Sequence, residues 1–561
     1  MDMDPRLHQA FLAELEALER FRVAYSGMYP DVPLASEDPD VRRLLEALAL
    51  FTARTRLASE RNVEGALLRI VQQHFPYLLT PVPAMFMLRG TVARSYVDMS
   101  VLPRGAQVSL VQRQPEGDGE SDTTFVFRTL ASMQLLPITL QGVDMLVRPK
   151  GQLRLLLRFG AAFERADDFS ELPLHVDYLG DLHSSLLVLH ALERHLVQSS
   201  LVWSHKVDAL SSGEPCRLTF GPLPVALDEL GPLDHPLHSV RRALHFPQLC
   251  LYMTARGFKA PRSWRDFSLV LDLDDAFPAN LRLHAECFQL HVVPALNLRR
   301  ETADPMTHDG TVDRHRVRSS DPASGFVPVS IHAVSRKTPE GLVPLEPAVI
   351  RNLPDSYEAE LEGRDATRRA FISVRMPGAF DQPEQLVVDA LWHQPAVSAL
   401  LAQDCQVQLL DRHIQGVRWD CLGRLSPHAD SELETDRKAM LQLLSIRGQR
   451  VLGLSELSFL LHALGVAHER AFTKLVTRIE ALRVVKRPAA NRGSGWKHVY
   501  ELTFAELLTT DLPRTELLCA QLIQLLGAWA SDHVVELVAT IPNLKKELRY
   551  SPRPAALTGL G

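Results

Sequence analysis

The sequence predicts an α+β chain, elongated and multi-domain, with N-terminal helices, then irregular β-rich domains, then a C-terminal helix plus β-hairpin unit. Three observations carry that prediction. Apolar residues recur at helical spacing through the first 80 residues, and near Met85 the period changes to two. The third is proline: 37 Pro against 29 Gly, scattered along 561 residues. Because proline breaks helix interiors and removes a sheet donor, this dispersal forces many short elements joined by ordered turns.

Phe11, Leu15, Leu18, Phe21 and Tyr25 fall on one face of a first helix of a few turns that stops before Gly27 and Pro30. Isolated helices shorter than about 12 to 15 residues are marginal in water, so this stripe needs something to pack on. A second helix starts at Ser36-Glu37-Asp38-Pro39, where Ser36 or Asp38 can cap and Pro39 suits the first turn. It carries Val41, Leu44, Leu45, Leu48 and Phe51, and a third carries Val63, Leu67, Leu68, Val71 and Phe75 before Pro76, Pro81 and Pro83.

Alternation then predicts strands at 85–91, 106–111, 124–129, 132–139 and 153–159, with the acidic segment 115–122 as a hairpin tip. A helix is expected over 180–198, a second β-rich stretch from Pro215 to about Val334, and a proline-rich connector around Lys337–Pro354. Strands near 370–374 and 407–410 and a helix near 395–403 follow. At the end, helices over 454–464 and 469–482 precede a hairpin of strands 483–486 and 499–504. The chain therefore divides into 1–84, an N-terminal helical segment; 85–214, a β-rich domain with a helix; and 215–335, a second β-rich domain. A connector and mixed α/β region occupies 336–435, and a basic helix/hairpin unit with C-terminal helices occupies 436–561. Length gives the same scale, at roughly 150 residues per domain.

Charge is uneven. The chain has 61 Lys and Arg against 67 Asp and Glu, a net −6, but residues 436–503 alone hold 12 basic residues and five acids. That segment is thus +7 and the remainder −13. With 46% hydrophobic and 23% charged residues, the composition excludes a disordered scaffold, a collagen and a histone-like polycation. No run reaches the roughly 18 to 20 apolar residues of a membrane helix, and the start is acidic where a signal peptide would be basic, so a soluble cytoplasmic protein without membrane insertion is expected. Six dispersed cysteines, none in a Cys-x-x-Cys pair, read as reduced buried thiols.

Chemical motifs are scarce. His190 and His195 stand at i and i+5, about 140° apart around a helix, and cannot share one ion. Residues 307–316 group His308, Asp309, Asp313 and His315 as a mononuclear metal loop might, and Asp272 and Asp274 have an Asp-x-Asp spacing. Both read more simply as polar turns and strand ends. Without a phosphate loop, a nucleophile elbow or a zinc-protease motif, neither catalytic nor cofactor-binding residues are expected. The basic unit has the order of a winged helix, which makes DNA binding the alternative function, while a basic hairpin serves equally as a protein docking surface.

Several segments, in order and spacing, resemble the type VI secretion baseplate family TssF, also called VasA or ImpG. They are Asp38–Arg54, Phe75–Met85, Leu102–Gly105, Phe127–Thr129, Leu135–Ile138 and Phe288–Leu298 running into Asp304-Pro305-Met306. Leu454–Ser458 and Arg549–Pro554 are similar to segments near the family's C-terminus. The sequence departs from the family at Arg299, where a Phe is usual, at Gly493-Ser494-Gly495-Trp496, and in an opening whose aromatics reduce to Phe21 and Tyr25.

The resemblance implies a non-enzymatic wedge subunit of a contractile injection machine. Two copies would join one TssG, with TssE and TssK, around the spike hub VgrG. The sheath would be contacted indirectly, and the baseplate would dock at the inner membrane complex. Its work would be conformational, holding a ring until a trigger licenses sheath contraction. The side chains expected at partner interfaces are Phe11, Leu15, Leu18, Phe21 and Tyr25 on the first helix and Lys486, Arg487, Arg492, Trp496 and Lys497 on the hairpin.

Overall fold

A computed structural model describes residues 5–29, 39–112, 123–224, 235–278, 280–348, 353–376, 379, 382–399, 405–468, 470–488, 496–530 and 534–551. The caps expected at Ser36 or Asp38, the acidic tip 115–122 and Arg492 lie outside these residues. The chain forms two compact units, one of residues 1–75 with 433–445 and one of residues 76–432 with 446–561. No helix among the described residues is long and apolar enough to cross a membrane.

The first unit is built on two helices, α1 (Pro5–Met28) and α2 (Pro39–His74). Both differ from the sequence reading. α1 runs 24 residues rather than a few turns, and the second and third expected helices are one helix of 36 residues. No proline or glycine stands between Phe51 and Val63, and Asn62, like Gly65 just beyond, costs at most about 1 kcal/mol, which a long helix absorbs cooperatively. The helices pair, with Arg56 of α2 reaching Glu14 of α1 at 3.1 Å. Ala49 and Ala53, on the same face as Arg56, are fully buried.

The second unit opens with the turn α3 (Pro76–Leu79) and is otherwise mostly sheet. A six-stranded antiparallel sheet runs in the order Cys405–Leu409, Gln107–Gln112, Thr123–Thr129, Val292–Leu296, Met85–Val92, Val417–Ser426. Its strands come from widely separated parts of the chain, and Arg89 ties two of them by a fork onto Asp420 at 2.9 and 3.0 Å. A five-stranded sheet is ordered Glu214–Pro215, Leu196–Val202, Trp264–Leu273, Leu153–Arg165, Ile138–Val147. It shares a core with the four-stranded sheet Arg217–Phe220, Tyr252–Arg256, Glu171–Val176, Phe288–Gln289 and with helix α4 (Leu182–His195). Phe159, Phe169, Trp203, Phe258, Trp264 and Phe267 interlock there with ring centroids 5.0 to 6.4 Å apart, the offset and edge-on range aromatic rings prefer.

Local chemistry explains where several expectations shift. The strand expected over 132–139 is two, Met133–Leu135 and Ile138–Val147, because Pro137 cannot donate to a ladder. α4 is capped by Asp181, which accepts from the Ser184 amide at 2.8 Å, and ends at His195 because Leu196–Val202 joins the ladder of Trp264–Leu273. The second β-rich stretch contains a helix the alternation hid, α5 (Pro236–His245), with Pro236 in its first turn. The connector is in part strand: Val327–Thr338 turns into Gly341–Pro344, and Glu346–Pro347 pairs with Ser356–Glu362. These strands belong to two further sheets around a core that includes Trp392 and Ile372.

Asn297, in one of the segments that resemble TssF, joins two sheets. Its side-chain amide donates to Val126 O at 2.8 Å and its carbonyl oxygen accepts from the Gln394 amide at 2.6 Å. Gln394 in turn accepts from Val126 N and donates to the Thr124 and Ser324 carbonyls. Both residues are buried, and each polar atom of the pair is satisfied.

The C-terminal part contains α6 (Arg437–Ile446), α7 (Leu454–Ala463), α8 (Arg470–Val476) and α9 (Leu512–Trp529). α8 stops at Val476, short of the helix expected to Leu482, because Ile479–Pro488 is already strand. That strand pairs with Trp496–Phe504, as the hairpin reading requires. The sheet then continues where C-terminal helices were expected: Val534–Ile541 adds parallel to Trp496–Phe504, and Lys546–Tyr550 closes the edge.

Candidate interaction surfaces

The stripe expected on the first helix lies on α1. Phe11, Leu15, Leu18 and Tyr25 are half-buried, and Phe21 is 62% exposed. Phe21, Tyr25 and Tyr29 recur at i, i+4 and i+8 and form an aromatic ladder with centroids 6.0 and 4.9 Å apart. The stripe of α2 is more exposed still: Leu44 and Phe51 show 70% and 69% of their surface, and Leu48 about half. Leu44, Leu48 and Phe51 stand at i, i+4 and i+7, one face of the helix. Sequence periodicity marked these residues as a face, but nothing local told which face its own unit would leave uncovered.

On the hairpin, Lys486 and Arg487 are exposed beside an exposed Trp496. Cross-strand register sets Arg487 opposite Lys497 and Pro488 opposite Trp496. Two of the cations are paired: Arg487 donates to Glu501 at 2.8 Å, and Lys497 pairs with Glu536 on the strand added beside it. Glu536 lies beyond the segment whose charge makes the unit basic, so only the tertiary pairing shows that part of the charge is spent internally. The element order of a winged helix is present, but its hairpin is half of a four-stranded sheet and α8 is only seven residues long. The DNA-binding reading finds no support.

The residues weighed for chemistry are held apart or used structurally. His190 pairs with Glu516 at 2.7 Å and His195 with Asp274 at 2.8 Å, so they face different partners. Asp272 is buried and takes a fork from Arg154 at 2.7 and 3.0 Å plus Arg148 at 3.0 Å. Arg154 spends its remaining donors on the carbonyls of Asp208 and Ser211. Breaking such a buried pair leaves an uncompensated charge, which makes it a structural element. His308 and His315 do meet, Nδ1 to Nε2 at 2.9 Å, and burial together with the neighbouring imidazole holds His315 below the ordinary range. Asp309 instead accepts from Thr311, and no third ligand atom joins the two rings among the described residues. An open cleft of about 540 Å³ is lined by Arg128, Arg300 and Asp389, but Arg300 is held by Asp389 at 2.6 Å.

The geometry offers exposed apolar helix faces and a basic hairpin, and comparison with known proteins adds the family. No curated protein matches the sequence. Among solved structures, the fold is similar to a chain of the type VI secretion system TssK-TssF-TssG baseplate subcomplex determined by cryo-electron microscopy. The TM-score is 0.73 at 17% identity, over 92% of this chain and 100% of that one. It is also similar to a chain of a type VI secretion baseplate complex, with a TM-score of 0.60 at 17% identity over 97% of this chain and 98% of that one. The profile of the type VI secretion system family TssF matches residues 3–414, and the chain belongs to that family.

Proposed function

We propose that this protein is a structural, non-catalytic subunit of the type VI secretion baseplate wedge, assembling with TssG and TssK and, in the complete wedge, with TssE around the VgrG hub. The family match over residues 3–414 carries this reading. The similar solved chain is part of a complex with TssK and TssG, which supports those two partners. The stoichiometry of two copies per TssG, the indirect contact with the sheath, the trigger of contraction and the cytoplasmic assembly docked at the inner membrane complex belong to the same proposal.

The α1–α2 faces are the surfaces this proposal offers to a partner's helices. An aliphatic or aromatic side chain gains about 1.5 to 3 kcal/mol when fully buried, so a face with Phe21, Leu44, Leu48 and Phe51 exposed favours cover by another apolar surface. Leu15 and Leu18 are half-buried within their own unit, so the discriminating substitutions are at the exposed positions. Replacing Phe21 and Phe51 with Asp is expected to abolish co-purification with TssG while far-ultraviolet circular dichroism stays unchanged. Full recovery of the complex from the double variant would remove these faces from the interface.

A further inference from the structure

Three side chains of metal-ligating chemistry converge in the second unit, at positions no sequence motif connects: Asp365, His428 and Asp430. Asp365 opens a single turn, Asp365–Thr367, between the strands Ser356–Glu362 and Arg369–Arg375. His428 and Asp430 follow the strand Val417–Ser426. His428 Nε2 is 3.1 Å from Asp430 Oδ1 and 3.7 Å from Asp365 Oδ1, and one ligand atom of each residue lies within 4.8 Å of the other two. Ligands bound tetrahedrally at about 2.0 to 2.1 Å stand about 3.3 Å from one another. The first two separations bracket that value.

A second observation points to the same place. His393, the last residue of the strand Glu384–His393, is 1% exposed, and neither of its ring nitrogens has a hydrogen-bond partner among the described residues. Its ring lies 4.2 Å, centroid to centroid, from that of His428, whose Nδ1 is also buried and unmet. Buried polar nitrogens are nearly always satisfied, so a fully enclosed imidazole with both nitrogens unmet, packed on the ring whose Nε2 faces the two carboxylates, marks this cluster as lacking a partner. We infer that Asp365, His428 and Asp430 form a binding site for a zinc-type divalent ion, with water completing its coordination and His393 packed behind His428.

The surroundings define its character. Arg368 Nη2 is 3.4 Å from Asp430 Oδ1 and Arg364 Nε is 3.7 Å from Oδ2. Both distances exceed the roughly 2.7 to 2.9 Å of a strong charge-assisted bond, so an ion competes with weak contacts. The two guanidiniums still oppose a cation, and the site is weaker than one with carboxylates alone. The Asp365 amide donates to Asp430 Oδ2 at 2.9 Å and orients that carboxylate from behind. Imidazole with carboxylate selects zinc over magnesium or calcium, and Asp365 is exposed, which gives the ion its entry. A bound ion would clamp the turn at 365 to the segment at 428–430, just before the chain leaves the second unit at Glu432.

The test uses the full, untagged chain, stripped with a chelator and desalted after incubation with zinc sulfate alone. About one zinc per chain by elemental analysis, a rise in Tm with added zinc, and visible absorption of tetrahedral cobalt on cobalt(II) substitution are expected. Asp365→Asn, at an exposed position that leaves the fold intact, is expected to weaken zinc binding about tenfold or more, and Asp365→Asn with His428→Gln to abolish the cobalt bands. His393→Ala, which removes the ring packed on His428, is expected to shift those bands. No retained zinc and no Tm shift, or retention unchanged in the double variant, overturns the site.

Discussion

The α1–α2 pair and the β-rich body handle apolar residues in opposite ways. Around the five-stranded sheet, Phe159, Phe267, Leu269 and Leu271 are completely buried, and even the charged Asp272 is enclosed by its arginines. On the helices, Leu44, Phe51 and Phe21 are left largely to solvent. Around that sheet the core is closed, whereas the helices leave apolar side chains exposed along one face. The difference places a tight core in one region and, on the proposal above, the docking surface in the other.

That division can be broken most sharply at Asp272. Replacing it with Ala strands Arg154 without its carboxylate in the core and is expected to cost about 3 to 5 kcal/mol. Urea unfolding followed by fluorescence, with Trp203 and Trp264 in the same core as reporters, measures it. A cost below about 1 kcal/mol would mean that the body is not held together as described.

Acid should also act on the body first. The Leu136 amide donates to His291 Nε2 at 3.1 Å, so that nitrogen must keep its lone pair, and burial pushes His291 down to about 4. Burial likewise holds His175 at about 4, where its Nε2 donates to the Gln248 carbonyl. Both groups are depressed in the folded state relative to an unfolded value near 6.5. Their stabilising neutral form is fully favoured above pH 6.5, and stability falls as pH drops from about 6.5 to about 4. The loss at the acid end is on the order of 3 kcal/mol for each histidine. Urea midpoints at pH 7.5, 5.5 and 4.5 should decline in that order, and a flat profile would contradict the assigned protonation.

Asn297→Ala is the next smaller effect. It leaves the Gln394 amide without its buried acceptor and should cost about 1 to 3 kcal/mol, read from the shift of the urea midpoint at constant m. At the other end of the scale, Leu44→Ser or Phe51→Ser should change the stability of the isolated chain by no more than about 0.5 kcal/mol. If either costs as much as Asn297→Ala, the helix faces are core rather than docking surface.

Much of the fold was legible where β-branched and aromatic runs are short and locally bounded. Met85–Val92, Gln107–Gln112 and Thr123–Thr129 lie within a residue of their expected bounds because each is such a run in the sequence. Legibility failed where the determinant was remote. Leu196–Val202 continues an apolar helical pattern, yet becomes strand because Trp264–Leu273 offers it a ladder. Val534–Ile541 joins the C-terminal sheet in parallel across α9, a connection that leaves no turn signature. The interface candidates were legible as a periodic stripe, but not their degree of exposure, and the cluster of Asp365, His393, His428 and Asp430 was invisible because its members stand on separate segments.

The sequence by itself determined that this chain alternates short elements, opens with amphipathic helices, separates its charge toward the C-terminus, and carries the ordered segments of the TssF family. Those properties are written in composition and local spacing. Tertiary structure alone decided which strands share a sheet, that Asp272 is an enclosed counter-ion rather than a reactive group, and that Phe21, Leu44 and Phe51 remain uncovered. The physical reason is that burial and ion pairing depend on neighbours distant in sequence, and periodicity records only that a residue has a face, not what that face meets.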